Sequence, residues 1–287
     1  MNLLQDALPI RIDKNFDMSS IPLVLTRILQ ALDDESASAD QLQELILHDP
    51  PLSARILKLA NSAFYSFQVE VKTISHATSL LGLNLVKSLA IGVSLFDSFS
   101  MNMRGAATVL NRLWMHSFAV GMVAREVWTS RGGRREGEVA FLCGLLHDIG
   151  KVVFFQQDSA QYRWIFTANK TADGPGISQF ELELYEVDHA AIGAVLAKEW
   201  GLPPELINVI RYHHTPLESR LPKVAVVSVA DAIAKLTGTG YDGDTKLDPA
   251  LDKIRSGLNL SEEEWNRHLA FTAGRRVALQ QFFQASS

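Results

Sequence analysis

The 287-residue chain has a single cysteine, Cys143. No intrachain disulfide can therefore form. That scarcity fits a reducing, cytoplasmic setting, and Cys143 itself is read as a small buried hydrophobe. Apolar runs of membrane-spanning length are also missing. The most apolar stretch, Leu80 to Phe96, is interrupted by Asn84, Lys87 and Ser88, so it is expected to form one or two buried helices broken at Gly82, with no membrane association. The start of the chain, Met1-Asn2-Leu3-Leu4-Gln5-Asp6, lacks a basic segment followed by an apolar core, and no signal peptide is read. Basic residues are not in excess. Twenty-seven Lys and Arg face 32 Asp and Glu, a formal charge of −5, and no nucleic-acid partner is expected. The one basic cluster, Arg131-Gly132-Gly133-Arg134-Arg135, reads as a solvated loop. No useful apolar–polar alternation, internal repeat or low-complexity tract occurs, which leaves a helical fold.

Helical spacing is what the sequence does contain. Leu23, Leu25, Ile28, Leu29 and Leu32 form one apolar stripe, followed by a polar turn at Asp33–Ser38. Asp40 opens a second helix through Leu42, Leu45, Ile46 and Leu47, which Asp49-Pro50-Pro51 ends. Pro51 suits the first turn of the next helix, which carries Leu52, Ile56, Leu57 and Leu59 and stops near Asn61-Ser62. Two more helices are expected between Thr73 and Phe99, then a soft boundary at Met101–Ala106. The second half predicts helices at Ala107–Thr129, Glu138–Gln157, Gln179–Tyr185 and His189–Trp200. Others start at Pro203-Pro204, to include His213-His214, and at Val224–Leu236. Arg131–Gly137 reads as a connector, and Thr171–Gly176 and the three-glycine stretch Thr237–Asp248 as loops. Two helices near Pro249–Ser256 and Glu262–Phe283 finish the chain.

Five of the eight histidines, His116, His147, His189, His213 and His214, fall on the helices between Ala107 and Leu236, beside Asp148 and Asp231. Imidazole with carboxylate suits divalent transition metals. Adjacent residues such as His147 and Asp148 diverge by about 100° around a helix, so each can face a different ion, with Asp148 spanning both. Lys151, four residues after His147, is placed to meet a bound phosphate. Two metals a few ångströms apart suit phosphoester hydrolysis, because they activate water and stabilise developing negative charge. His48-Asp49 reads as a helix end, His76 as a hydrogen-bonded surface or core histidine, and His268, among Glu262, Glu263, Glu264 and Arg267, as part of a solvated face.

Several separate segments, in order, carry a resemblance. Residues 45–64, LILHDPPLSARILKLANSAF, and 74–92, ISHATSLLGLNLVKSLAIG, resemble the signature of the HDOD family. FLCGLLHDIGKVV at 141–153 resembles the HD helix, and DHAAIGAVLAKEWG at 188–201 and YHH at 212–214 match further family segments. The resemblance covers roughly Phe16 to Leu236. It implies an all-α, multi-helix bundle like that of the HD superfamily, with an N-terminal helical half. In that division an HDOD-like domain spans 14–236, its halves about 14–105 and 106–236, and 237–287 is a C-terminal helical extension, read as a cap or partner surface.

The resemblance also implies a role and a ligand set. HDOD proteins are regarded as regulatory or response-regulator output parts of bacterial signalling, related to HD and HD-GYP phosphohydrolases. By that pattern one metal takes His116, His147, Asp148 and Asp231, and the other takes Asp148, His189, His213 and His214. Lys151 matches the lysine that contacts substrate phosphate. The ions expected are two divalent transition metals, with iron, manganese, nickel and zinc all compatible. The chain departs from the cyclic-di-GMP hydrolases in having no GYP motif after His214, and Arg112 stands one turn before His116, where some trinuclear relatives have a carboxylate. The first reading is thus a signal-transduction module that keeps a binuclear HD-type site. The second is a metal-dependent phosphohydrolase of a phosphoester or cyclic nucleotide, with Asp148 and Lys151 as catalytic groups. The third is a helical scaffold. A signalling protein or a nucleotide is the expected partner, and a homodimer stays open. No receiver domain fits before Phe16, so the chain is expected to act alone or to receive its signal in trans.

Overall fold

The computed structural model describes residues 39–62, 65, 67–100, 107–168 and 176–284. The Leu23–Leu32 stripe, the turn at 33–38, the boundary at 101–106 and most of the loop at 171–176 lie outside them. Among the described residues there is no strand.

The first helices are α1 (Ala39–Leu47) and α2 (Pro50–Ala60). Asp49 both ends one and starts the other. Its carboxylate accepts the N–H of Leu52 at 3.0 Å, and Pro50 fills the first turn, where no N–H is needed. Asn61 follows α2 and reaches across ten residues. Its Nδ2 donates to the Val71 carbonyl and its Oδ1 accepts the Val71 N–H, both at 2.7 Å. That double bond closes the connection to α3 (Ile74–Leu81). Gly82, at φ 90° and ψ 151°, then breaks the apolar run before α4 (Leu83–Ser100). No single described helix is long and apolar enough to cross a membrane, and α3 and α4 meet at a bend of 119°.

The most extensive helix pair is α5 (Ala107–Gly132) against α6 (Arg134–Leu146). The expected connector at Arg131–Gly137 is corrected to one residue, Gly133, at φ 83°, since helical capping there needs only a left-handed residue. Arg131 is not merely solvated. Its guanidinium donates to the carbonyls of Val127 and Leu258 and pairs with Glu264 at 3.7 Å. The expected helix Glu138–Gln157 is also corrected. It stops at Leu146, turns through His147 and Asp148, and resumes as α7 (Ile149–Gln157). The cause is tertiary. A Cβ on Gly150 would lie 2.0 Å from the His189 carbonyl oxygen and 2.8 Å from the Gly193 nitrogen. Backbones that close need a glycine crossing, and the turn tilts α7 into it. A similar crossing, Gly121 on Gly144, joins α5 and α6.

The helix α8 (Ser159–Ala168) has no counterpart in the sequence reading. After it come α9 (Ile177–Tyr185), α10 (His189–Glu199), α11 (Pro204–Tyr212), a 3-10 turn at Pro216–Glu218 and α12 (Pro222–Leu236). The pair His213-His214 lies just beyond α11 rather than within it. Two helices, α13 (Leu251–Gly257) and α14 (Glu262–Gln284), end the described chain. One continuous apolar core runs from Ile46 to Phe283 and contains Cys143. Within it the Phe283 ring lies 6.2 Å from both Phe96 and Phe118. The solvated reading of His268 is overturned: the residue is 6% exposed, because it lies on the same inward stripe as Trp265, Thr272 and Leu279.

Candidate metal centre

Helix ends and crossings bring the chemistry together. His116 sits in the third turn of α5, and the Gly121–Gly144 crossing holds it against the end of α6. There His147 donates its Nδ1–H to the Gly144 carbonyl at 2.7 Å, which leaves Nε2 to face inward. The two rings are 5.5 Å apart. Asp148 is the first residue beyond the helical path, at φ −99° and ψ 11°. His189 opens α10, delivered by the Gly150–Gly193 contact. His213 caps α11 at its C-terminal end and donates Nδ1–H to the Ile210 carbonyl at 2.8 Å. Asp231 comes from the middle of α12.

All seven sequence-read ligands converge. Asp148, His189, His213 and His214 form one group, and His116, His147 and Asp231 another, each with donor atoms within 4.8 Å of one another. Asp148 lies between them. Its Oδ1 faces His189 Nε2 at 3.2 Å and His213 Nε2 at 3.6 Å, and its Oδ2 faces His147 Nε2 at 3.4 Å. His214 Nε2 and His189 Nε2 approach to 2.8 Å, and His189 Nε2 and His213 Nε2 to 3.4 Å. Imidazole nitrogens that all turn toward one point are acceptors without enough protons to share, unless a cation sits among them. His116 Nε2 and Asp231 Oδ1 are 3.0 Å apart, yet both they and Asp148 Oδ1 are buried without a hydrogen bond of good geometry. Orphaned donors of this type, in groups of three and four, fit divalent transition metals.

The electrostatics divide the histidines. Burial pushes His147 down to about 3 against the pull of Asp148, and burial with His213 and His189 beside it holds His214 well below its usual value. Both are therefore neutral donors at physiological pH. Burial also lowers His189, but the Glu181 carboxylate and the hydrogen bond to Asp148 together outweigh it and raise the group to about 9, so His189 carries a proton on both nitrogens unless a cation displaces one. Burial would raise the Asp148 and Asp231 carboxyls. His147 and Lys151 for the first, and Lys235 and His116 for the second, hold them well below the usual range instead.

Lys151 does reach this centre, but not as an open group. It has no exposed surface, and its ammonium donates to Asp148 Oδ2 at 2.8 Å and Asp242 Oδ2 at 3.0 Å. Asp242 was missed in the sequence. It arrives from the glycine-rich loop after α12 and groups with His116 and Asp148 as a third donor set. Nothing in its spacing marked it. Lys235 was missed as well, although it lies four residues after Asp231 on one helix face. It pairs with Asp231 Oδ2 at 2.9 Å and Asp242 Oδ2 at 3.3 Å. Glu181, on α9, is the third omission.

The sequence and the fold have relatives. A family model described as HDOD domain matches residues 18–216. The chain is 28% identical over 285 residues to an uncharacterized protein of Treponema pallidum (strain Nichols), covering 95% of this chain and 51% of that protein. It is 26% identical over 200 residues to ribonuclease Y of Aquifex aeolicus (strain VF5), covering 68% of this chain and 29% of the ribonuclease. The chain thus spans about half the length of the first curated relative and under a third of the second. Among solved structures, an HDOD domain protein of unknown function from Geobacter sulfurreducens superposes with a TM-score of 0.75 at 26% identity over 92% of each chain. A Shewanella amazonensis SB2B protein that carries a phosphohydrolase name gives 0.72 at 27% identity, over 92% of this chain and 94% of that one. A Marinobacter aquaeolei VT8 protein named for signal transduction gives 0.77 at 21% identity, over 97% and 62%, and shows the fold. With the matched segment covering more than half of the sequence, and with an all-helical architecture shared with an HDOD structure over nine-tenths of both chains, the chain belongs to the HDOD domain family.

Proposed function

We propose that the chain is a regulatory, signal-transducing HDOD module whose second half holds two divalent transition metals. His116, His147, Asp148 and Asp231 would hold one ion, and Asp148, His189, His213 and His214 the other. The observation that carries this reading is the placement of Asp148, which turns one carboxylate oxygen toward His189 and His213 and the other toward His147. A carboxylate flanked on both sides by inward-facing imidazole nitrogens is the arrangement a bridged pair of ions requires.

Phosphoester hydrolysis is the second reading. It is favoured by Lys151 beside Asp148 and by the phosphohydrolase and ribonuclease names among the relatives. Ions held there would supply Lewis-acid polarisation and charge neutralisation to a phosphoryl group. Lys151 would add a positive charge beside them, and His214, the most open of the histidine ligands, would border the entry. The burial of the ligand shell and the occupied state of Lys151 favour the regulatory reading, because a bulky ester has no open ammonium to meet.

Elemental mass spectrometry of the purified protein beside a His147→Ala/Asp148→Ala variant tests the assignment. Two equivalents of transition metal, absent from the variant, are expected. A parent without stoichiometric metal after anaerobic reconstitution with iron or manganese would overturn it. Turnover of an aryl phosphodiester or an RNA oligonucleotide that disappears in Asp148→Ala would move the second reading to first place.

A further inference from the structure

The loop after α12 does more than connect helices. Gly240, at φ 79°, lies so close to α5 that a Cβ there would come within 2.2 Å of the His116 nitrogen. The next residue, Tyr241, donates its N–H to the Arg112 carbonyl at 3.0 Å, and the Arg112 guanidinium covers the Tyr241 ring at 4.7 Å. Asp242 then enters the centre, 1% exposed. Asp244 finishes the excursion, taking the N–H of Ile177 at 3.1 Å at the start of α9. Gly240, Tyr241 and Asp244 thus hold a single carboxylate in the protein.

That carboxylate has a particular place. Two buried ammoniums, Lys151 at 3.0 Å and Lys235 at 3.3 Å, converge on its Oδ2. Each already has a partner of its own, Asp148 for Lys151 and Asp231 for Lys235. Asp242 is therefore the additional anion, and the point where the two lysines meet lies beside the candidate ligands His116 and Asp148. Two ammoniums aimed at one oxygen beside a metal centre are arranged for an oxyanion, and the oxyanion here is tethered to the chain.

We propose that Lys151 and Lys235 form an oxyanion subsite for a phosphoryl group, and that the loop Gly238–Asp244 closes it by inserting the Asp242 carboxylate as an internal stopper. This rests on the reading of the adjacent residues as a metal centre, and it names how that centre is regulated. The outer side of the loop borders open space. Gly238 and Gly240 line an open cleft of about 540 Å³ that is also bordered by Arg112, Arg276, Asn111 and Gln280. Glycines at both positions, each with positive φ, give the segment hinges. Withdrawal exposes the lysine pair to an incoming phosphoryl group, and insertion excludes it.

The test is binding of inorganic phosphate to the full chain, by calorimetry and by thermal unfolding, with and without bound metal. The proteins compared are the parent, Asp242→Ala, Asp242→Asn and the double variant Asp242→Ala/Lys235→Ala. We expect phosphate to bind Asp242→Ala at least tenfold more tightly than the parent, to raise its unfolding temperature, and to lose this effect in the double variant. Asp242→Asn keeps the shape of the loop and its acceptor for the Asp244 N–H, so it supplies the same comparison should the alanine variant not fold. Equal phosphate affinity in parent and folded variant would overturn the proposal. So would loss of metal on Asp242→Asn with no gain in phosphate binding, which would make Asp242 a ligand. The metal-free arm separates the two claims. Phosphate binding there with no metal uptake by the parent leaves the subsite standing and removes the metal centre, and the reverse result does the opposite.

Discussion

Glu181 holds His189 at two points with one oxygen. Its Oε2 accepts the His189 backbone N–H at 2.8 Å and the ring Nδ1–H at 2.6 Å, and neither residue has exposed surface. The other oxygen accepts the Tyr162 hydroxyl. The carboxylate therefore sets the tautomer and the angle of the imidazole, and points Nε2 at Asp148. Glu181→Gln keeps the size and removes the charge. Outer partners of this kind are worth about 10–100-fold in metal affinity. Chelator competition on the metal-loaded protein should show a loss of that order, with the helical circular dichroism of the parent. Unchanged affinity would make Glu181 a folding residue only.

Gly150→Ala should separate α7 from α10. The added methyl would meet the His189 carbonyl oxygen at 2.0 Å, a backbone atom with no freedom to swing aside. Overpacking of this kind costs about 3 kcal/mol, or roughly 5–10 °C in unfolding temperature for a domain of this size. Metal content at the His189 group should fall with it. A variant as stable as the parent would show that the helices tolerate the extra spacing.

Asn61→Ala removes both bonds to Val71. Two part-exposed amide bonds contribute about 1–2 kcal/mol together. The loss should appear as faster hydrogen exchange at the Val71 N–H, with metal content unchanged, because the loop lies in the N-terminal half. Slow exchange at Val71 in the variant would mean that packing alone closes the loop.

His268 provides a pH signal away from the centre. Burial, with Arg267 nearby, lowers it to about 4 from 6.5. A histidine whose folded value is lowered binds its proton more readily in the unfolded chain. Its contribution is therefore complete above about pH 6.5 and is lost as pH falls toward 4. After allowance for solvent screening the loss is about 1–2 kcal/mol. Urea unfolding at pH 7 and pH 4.5 should show a smaller difference in His268→Phe than in the parent. Equal differences would rule out His268 as a source of acid sensitivity.

The helices, and the seven residues that the fold brings together around Asp148, were legible because each depends on a local signal. Asp49-Pro50 caps, Gly82 breaks, and His147, His189, His213 and His214 lie near helix ends where side chains can converge. What was not legible came from contacts between distant segments. The turn at His147–Asp148 is set by Gly150 meeting Gly193, and no property of residues 138–157 reveals that. Asp242 and Glu181 are ordinary acids in sequence and become special only when α7, α10 and α12 surround them. His268 sits among charged neighbours, so its apolar stripe was hidden until Trp265 and Leu279 were seen on the same side. The segment Ser159–Ala168 carries its helix on aromatic packing, with Tyr162 against Phe154 and Phe155, which the period alone did not expose.

The hairpin of α5 and α6 is also a pair of tongs. Its fulcrum is the contact of Gly121 with Gly144, and its jaws are His116 and His147. The handle, from the fulcrum to the turn at Gly133, is about 18 Å long on α5, and the jaw is about 7 Å, at roughly 1.5 Å of rise per residue. Leverage runs the unfavourable way: a displacement imposed at the Gly133 end arrives at the histidines at less than half its size. A push or grip at the handle end therefore reaches the donor atoms attenuated. The short route to the same atoms is the loop that lies directly on His116.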